Sequence, residues 1–172
     1  MSRSQIVERA LWWADPGEYK PYPSHLIYFC KNAGCEQVPT EAEAQKSMGL
    51  NNGVYIGGKL KHWCGIFAVS VLKDCGVDVS WTLMGGRMKG GGVTYVSGRQ
   101  NMQPGDVAIV QKTNASYTTD QHHHFLVISV SGNVVETVEG NTYPNNMIRH
   151  ITTRKLNTGN ATTSIYGYYR II

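Results

Sequence analysis

No apolar run in this chain approaches the roughly 18 residues that a membrane helix needs, so no membrane span is expected. Charge is scarce as well, at 16% of residues against 41% apolar, which describes a globular chain and excludes a disordered one. The imbalance of +4 favours an anionic surface. It comes with no arginine-rich stripe, no zinc-finger spacing and no RNA-binding aromatic motif, so nucleic acid is not an expected partner. Cysteine occurs only at 30, 35, 64 and 75, never as C-x-x-C, and no cluster of closely spaced aspartates is present. Neither a metal nor another cofactor is therefore expected. Cys30 and Cys35 can pair in an oxidising compartment or stay as free thiols in a reducing one. "MSRSQIVERALWWADPGE" lacks the apolar core and small-residue cleavage site of a signal peptide. Synthesis in the cytoplasm is expected, with any work outside it needing specialised secretion, lysis or removal of a leader. The N-x-[ST] matches at Asn114 and Asn160 are accordingly expected to go unused.

The chain has 172 residues, enough for one domain, 1–172, with a core of its own. Ile6, Ala10, Trp13 and Ala14 recur at helical spacing before "DPG" stops the run. "PYPSHLIYFCKNAG" is ambiguous and suits a short helix closed by Gly34. "TEAEAQKSMGL" reads as a helix with Thr40 as N-cap and Glu43 completing a capping box. "NNGVYIGGK" is a glycine-rich loop, and the segment from Cys64 to Cys75 is the clearest helix. Cys64, Phe67, Ala68, Val71, Leu72 and Cys75 form its apolar stripe, and Gly76 is a natural C-terminal cap. "MGGRMKGGG" lacks the residue order of a phosphate-binding loop and reads as a mobile loop. Beyond the "QPGD" turn come strands: "VAIVQK", then "HHFLVISV" and "NVVETVEGN" as a hairpin about "SG", then "MIRHITTRKL" and "SIYGYYRII". Helices followed by strands predict an α+β domain with an antiparallel sheet.

A cysteine on the apolar face of a helix is ordinarily a small hydrophobe. Cys64 stands instead in the first turn, where unpaired N–H groups and the helix dipole favour a thiolate. Gly65 beside it leaves room for a substrate chain. A thiol nucleophile needs a base, and "QHHHFLVISVSGNVVETVEGN" offers one. If Ser131 and Gly132 make a two-residue turn, His124 faces Glu139 across the hairpin, and Asn141 lies two residues on along the same face. A three-residue turn would shift the register and favour His123. His62, in the preceding loop, is close enough to tune Cys64 but reads first as an exposed loop histidine. Three adjacent histidines are also compatible with a plain polar strand start, or with a metal site on His122 and His124 that lacks a third ligand.

The segment "WCGIFAVSVLKDCGV", then "QPGDVAIV", then a histidine opening an apolar strand, then "VETVEGNT" resembles the CHAP amidases, the cysteine, histidine-dependent amidohydrolase/peptidases of the papain-like group. The matching blocks run from about residue 62 to 142, and "GYYRII" is similar to the family's final strand. The resemblance implies a papain-like fold, with the cysteine at a helix N-terminus packed on an antiparallel sheet, and cleavage of amide bonds in bacterial peptidoglycan. It implies Cys64 as nucleophile, the histidine opening the strand as base, and Glu139 or Asn141 as the residue that orients it. The family carries one histidine there, usually after glycine, whereas this chain has three after glutamine, so the family pattern leaves His123 and His124 both open.

The expectation is a monomeric cysteine amidase or endopeptidase that takes peptidoglycan as substrate through Cys64, His124, Glu139 and Asn141. Small size and the missing signal suit an interbacterial toxin, delivered by a type VI-like machine to the periplasm of a target and matched by an immunity protein, or a phage lysis enzyme. The alternatives are a thiol protease or deamidase acting on protein, and a wall-binding module without catalysis.

Overall fold

A computed structural model describes residues 2–49, 63–82, 87–111, 122–142, 147–155 and 165–172. Helix α1 (Arg3–Trp13) begins at a reciprocal cap: the Ser2 hydroxyl accepts from Gln5 N–H at 3.3 Å, and the Gln5 side chain accepts from Ser2 N–H at 2.8 Å. Helix α2 (Pro23–Asn32) has proline in its first turn, where the missing N–H is harmless, and the chain leaves it through Gly34 at φ 68°. Thr40 and Glu43 form the expected capping box at the start of α3 (Glu41–Gly49), with Thr40 N–H donating to the Glu43 carboxylate at 2.8 Å. The thiols of Cys30 and Cys35 are free and hydrogen-bonded to one another, which with burial pushes the Cys30 pKa up.

Helix α4 (Cys64–Asp74) was expected to show one apolar face, but every residue from Cys64 to Leu72 is buried. The reason is its position. One side lies against α1 and α2 and the other against the sheet, as a helix apolar all round must. Even Ser70, fully buried, is satisfied: its Oγ and carbonyl both accept from Asn32 Nδ2 at 3.0 and 2.9 Å.

Among the described residues nine strands follow the helices or fall between them: β1 (Glu18–Tyr19), β2 (Ser80–Thr82), β3 (Arg87–Lys89), β4 (Val93–Ser97), β5 (Val107–Gln111), β6 (His122–Ser131), β7 (Val134–Thr142), β8 (Met147–Lys155) and β9 (Ile165–Ile171). Seven form one antiparallel sheet in the order β1-β8-β7-β6-β5-β9-β4, and β2 pairs with β3 separately. The architecture is α+β, as expected. Strands β1, β2, β3 and β4 were not. Part of the supposed mobile loop is β3, and the glycines after it cross a neighbouring backbone at close range. A Cβ on Gly90, at φ 145°, would lie 2.2 Å from the Asp78 carbonyl oxygen. The expected loop at 51–59, His62 and both N-x-[ST] asparagines lie outside the described residues.

Alternation gives the sheet two apolar faces. Val107, Ile109, Leu126, Ile128, Val138 and Ile148 meet the helices. Ala108, Val110, Phe125, Val127, Val135 and Tyr168 form a second cluster with Met102. The aspartate of "QPGD" is structural. Asp106, fully buried, accepts from Arg3 at 2.7 Å and from the backbone N–H groups of Gln103 at 2.9 Å and Ile171 at 3.2 Å, joining the two ends of the chain.

Candidate active site

Close contacts hold the first turn of α4 against helix α2 on one side and against the strands β7 and β2 on the other. Trp63, fully buried, stacks on Phe29 with ring centroids 6.2 Å apart and packs against Phe67. Gly140 of β7 lies directly against this pair: a Cβ there would stand 2.8 Å from Trp63 and 2.9 Å from Phe67. On the other side Trp81 covers Gly65, where a Cβ would fall 2.1 Å from the indole ring. The space at Gly65, read from the sequence as room for substrate, is filled by Trp81. Among the described residues no side chain caps the helix at Trp63, so the first-turn N–H groups keep their positive end toward Cys64.

The β6–β7 hairpin departs from the expected register, and with consequence. Its turn is Gly132–Asn133, with Ser131 opposite Val134 and Gly132 at φ 56°. Sliding the turn by one residue moves the pairing by two, which alone would keep His124 on the Glu139 face. One residue, Ile128, is then taken up as a bulge between Val127 and Ser129. Beyond it Leu126 faces Val138, so the next step along brings Phe125 opposite Glu139, and His123 takes the Glu139 face. The expected His124–Glu139 pair is thereby corrected: His123 Nε2 lies 2.8 Å from Glu139 Oε2.

Glu139, 1% exposed, is held on every side. Arg154 of β8 donates to it through Nε and Nη2, each at 2.6 Å, and Thr137 Oγ1 donates at 2.7 Å. Burial would push its carboxyl up, but His123 foremost, then Arg154 and Thr137, bring it down to about 2. With Nε2 turned to Glu139, His123 has Nδ1 left for Cys64, whose thiol is within hydrogen-bonding reach. Burial opposes charge on both groups. Their mutual attraction outweighs it, with Glu139 adding to the His123 side. Cys64 is held well below the ordinary thiol value, and His123 is raised to about 9.

The other imidazole is also there. His124, 4% exposed, lies edge-on to Trp81 with centroids 5.1 Å apart and reaches the same thiol. Asn141 follows Gly140 at φ 57°, a conformation asparagine tolerates, in a stretch where the β7–β8 register shifts between Glu139 and Thr142. It is Glu139 that contacts the His123 ring. Cys64, His123, His124 and Glu139 thus come together, with Arg154, Thr137 and Trp81 as members not anticipated from sequence. Arg154 carries no local signal, since the irregular pairing of β7 with β8 brings it to Glu139. Among the described residues no group of three or more His, Cys, Asp or Glu side chains is arranged to hold a metal ion, and no helix is long and apolar enough to cross a membrane.

Compared with models of protein families and with curated proteins, the chain matches none.

Proposed function

We propose that this protein is a cysteine hydrolase of papain-like, CHAP-type design that cleaves amide bonds of bacterial peptidoglycan. The observation that carries the chemistry is the chain Cys64–His123–Glu139–Arg154: a thiol at an uncapped helix N-terminus, an imidazole on it, and a buried carboxylate clamped by arginine behind the imidazole. Such an arrangement supplies a thiolate and a proton donor before substrate arrives. The Cys64 sulfur attacks the amide carbonyl carbon, a C–S bond forms, and the carbonyl electron pair moves to oxygen. The Cys64 backbone N–H donates to that oxyanion. His123 gives its proton to the departing nitrogen as the C–N bond breaks, leaving a thioester and a free amine. His123 then takes a proton from water as the water attacks the thioester. A carboxylate leaves, and the thiolate–imidazolium pair returns. Glu139 keeps the ring oriented and favours its charged form. Peptidoglycan as the substrate is supported by the sequence resemblance, and the mild positive charge suits an anionic wall.

Purified sacculi test the reading. Digestion should release new free amines with the glycan intact, and Cys64→Ala should abolish the release. Unchanged sacculi alongside cleaved protein substrates would redirect the assignment to a protease or deamidase. Binding to sacculi without cleavage would make it a wall-binding module.

A further inference from the structure

We infer that His124 is a second catalytic imidazole, one that donates a hydrogen bond to the oxyanion and does not act as the base. The inference rests on Cys64 being the nucleophile. Two imidazoles reach one thiol, yet their surroundings differ. His123 has Glu139 on its far nitrogen, so a positive charge on that ring is compensated. His124 has nothing comparable among the described residues: its Nδ1 is buried with no hydrogen-bond partner there, and a neighbour is the edge of Trp81. A base that must become a cation needs an acceptor on its second nitrogen, and this ring lacks one. With Nδ1 unpartnered among the described residues, Nε2 is the ring nitrogen left to donate a hydrogen bond. The ring is fixed by its surroundings, being 4% exposed and packed on an indole that itself closes over Gly65. A donor held close to the first turn of α4 is placed for the carbonyl oxygen that becomes negative when the sulfur attacks. It supplies the companion that the Cys64 N–H needs.

Two small probes separate the roles without peptidoglycan. Iodoacetamide alkylates sulfur by displacing iodide, with no carbonyl addition, so it reads thiolate formation alone. p-Nitrophenyl acetate acylates the same sulfur through a tetrahedral oxyanion and releases nitrophenolate, so it reads oxyanion stabilisation too. The informative variants are His124→Gln, whose amide nitrogen reaches about where Nε2 sits, and His124→Asn, whose amide falls short of it. Both should alkylate at pH 6 within a few-fold of wild type. Acylation should fall on the order of 100- to 1,000-fold in His124→Asn and recover most of that in His124→Gln. His123→Ala should lose both reactions at pH 6. Should circular dichroism show His124→Asn unfolded, His124→Gln decides alone, since glutamine can donate but cannot serve as a base. Loss of pH 6 alkylation in His124→Gln, with His123→Ala unaffected, would make His124 the base and overturn the inference. So would unchanged acylation in a folded His124→Asn. A wild type that gives the expected pattern on both probes yet leaves sacculi intact would refute peptidoglycan as substrate and leave the role of His124 standing.

Discussion

Cys64 and Cys75 bracket one helix, and their thiols are pushed in opposite directions. Cys64 is the more deeply buried, and burial alone would make it the harder to ionise. It is nevertheless held well below the ordinary thiol value, because His123 and His124 stand against it at the positive end of α4. Cys75 is half-buried, yet its pKa is raised, first by burial and then by the charge of Asp74, at the end where the helix presents carbonyls. Exposure therefore fails to rank the two thiols. What ranks them is which charges the fold sets beside each sulfur, and for Cys64 those come from a strand hairpin distant in sequence.

The largest break in this contrast is to remove the one activated sulfur. Cys64→Ser should lower hydrolysis on the order of 10,000-fold or more, since the same base cannot ionise a serine hydroxyl and nucleophile losses of this kind are of that size. In wild type, brief iodoacetamide treatment at pH 6 followed by peptide mapping should label Cys64 first and leave Cys75 unlabelled. Equal labelling of the two would erase the contrast.

Removing the carboxylate behind the imidazole should have the next largest effect. Glu139→Gln keeps the shape but takes the negative charge from between His123 and Arg154. Turnover should fall on the order of 100-fold, the scale of a compromised general acid. The alkaline limb of the pH–rate profile should also move. His123 is raised to about 9, so the imidazolium, and the stability its pairing contributes, is fully present below the ordinary histidine value and lost as pH rises through about 9. Without Glu139 the limb should shift toward neutrality, but only in part, because Cys64 contributes the larger share of the rise. On the acid side, Glu139 is lowered to about 2, so its contribution to stability is present above the ordinary carboxylate value and lost as pH falls toward 2. The variant should therefore lack that part of the acid-unfolding transition. An unmoved alkaline limb would show that another group governs it.

The two ends of the contrast were unequally legible in the sequence. Cys64 carried local marks, since a helix start, its periodicity and the glycine after it lie within one short segment. The Thr40–Glu43 box and the Gly76 cap were local too, and appear where expected. The choice between His123 and His124 was not local. It hangs on a one-residue bulge at Ile128, and nothing in "FLVISV" distinguishes a bulged isoleucine from a paired one. Arg154 and Trp81 reach the site only through pairings and packing made after the chain has folded. The final strand was legible while its partner β4 was not, because Val93–Ser97 shows no clean alternation of buried and exposed residues.

A smaller effect is expected from Gly65→Ala. The added methyl would meet the Trp81 ring at 2.1 Å, which forces the indole or the first turn of α4 to shift. Overpacking of this kind costs about 1–3 kcal/mol, and in a chain of this size each kcal/mol lowers the melting temperature by about 2–4 °C. Because Trp81 packs on His124, activity should fall by more than the loss of folded protein explains. A melting temperature within a degree of wild type would mean that Trp81 yields freely and does not fix the site.

The smallest effect belongs to the other end of the helix. Cys75→Ala removes a half-buried thiol whose polar contact is a hydrogen bond to the Gln5 carbonyl at 3.5 Å. The helix cap there comes from the backbone, with Cys75 N–H donating to the Leu72 carbonyl at 3.1 Å and Gly76 N–H to the Lys73 carbonyl at 2.9 Å, and alanine keeps both. The Gln5 carbonyl belongs to α1 and retains its place in that helix, so no buried acceptor is stranded. The cost should stay below about 1 kcal/mol. Turnover should change less than twofold, and pH 6 labelling of Cys64 should be unchanged. Should Cys75→Ala instead slow Cys64 labelling at pH 6 while its melting curve stays as in wild type, the two ends of α4 would be coupled electrostatically along the helix, and the activation of Cys64 could no longer be credited to the histidines and the helix N-terminus alone.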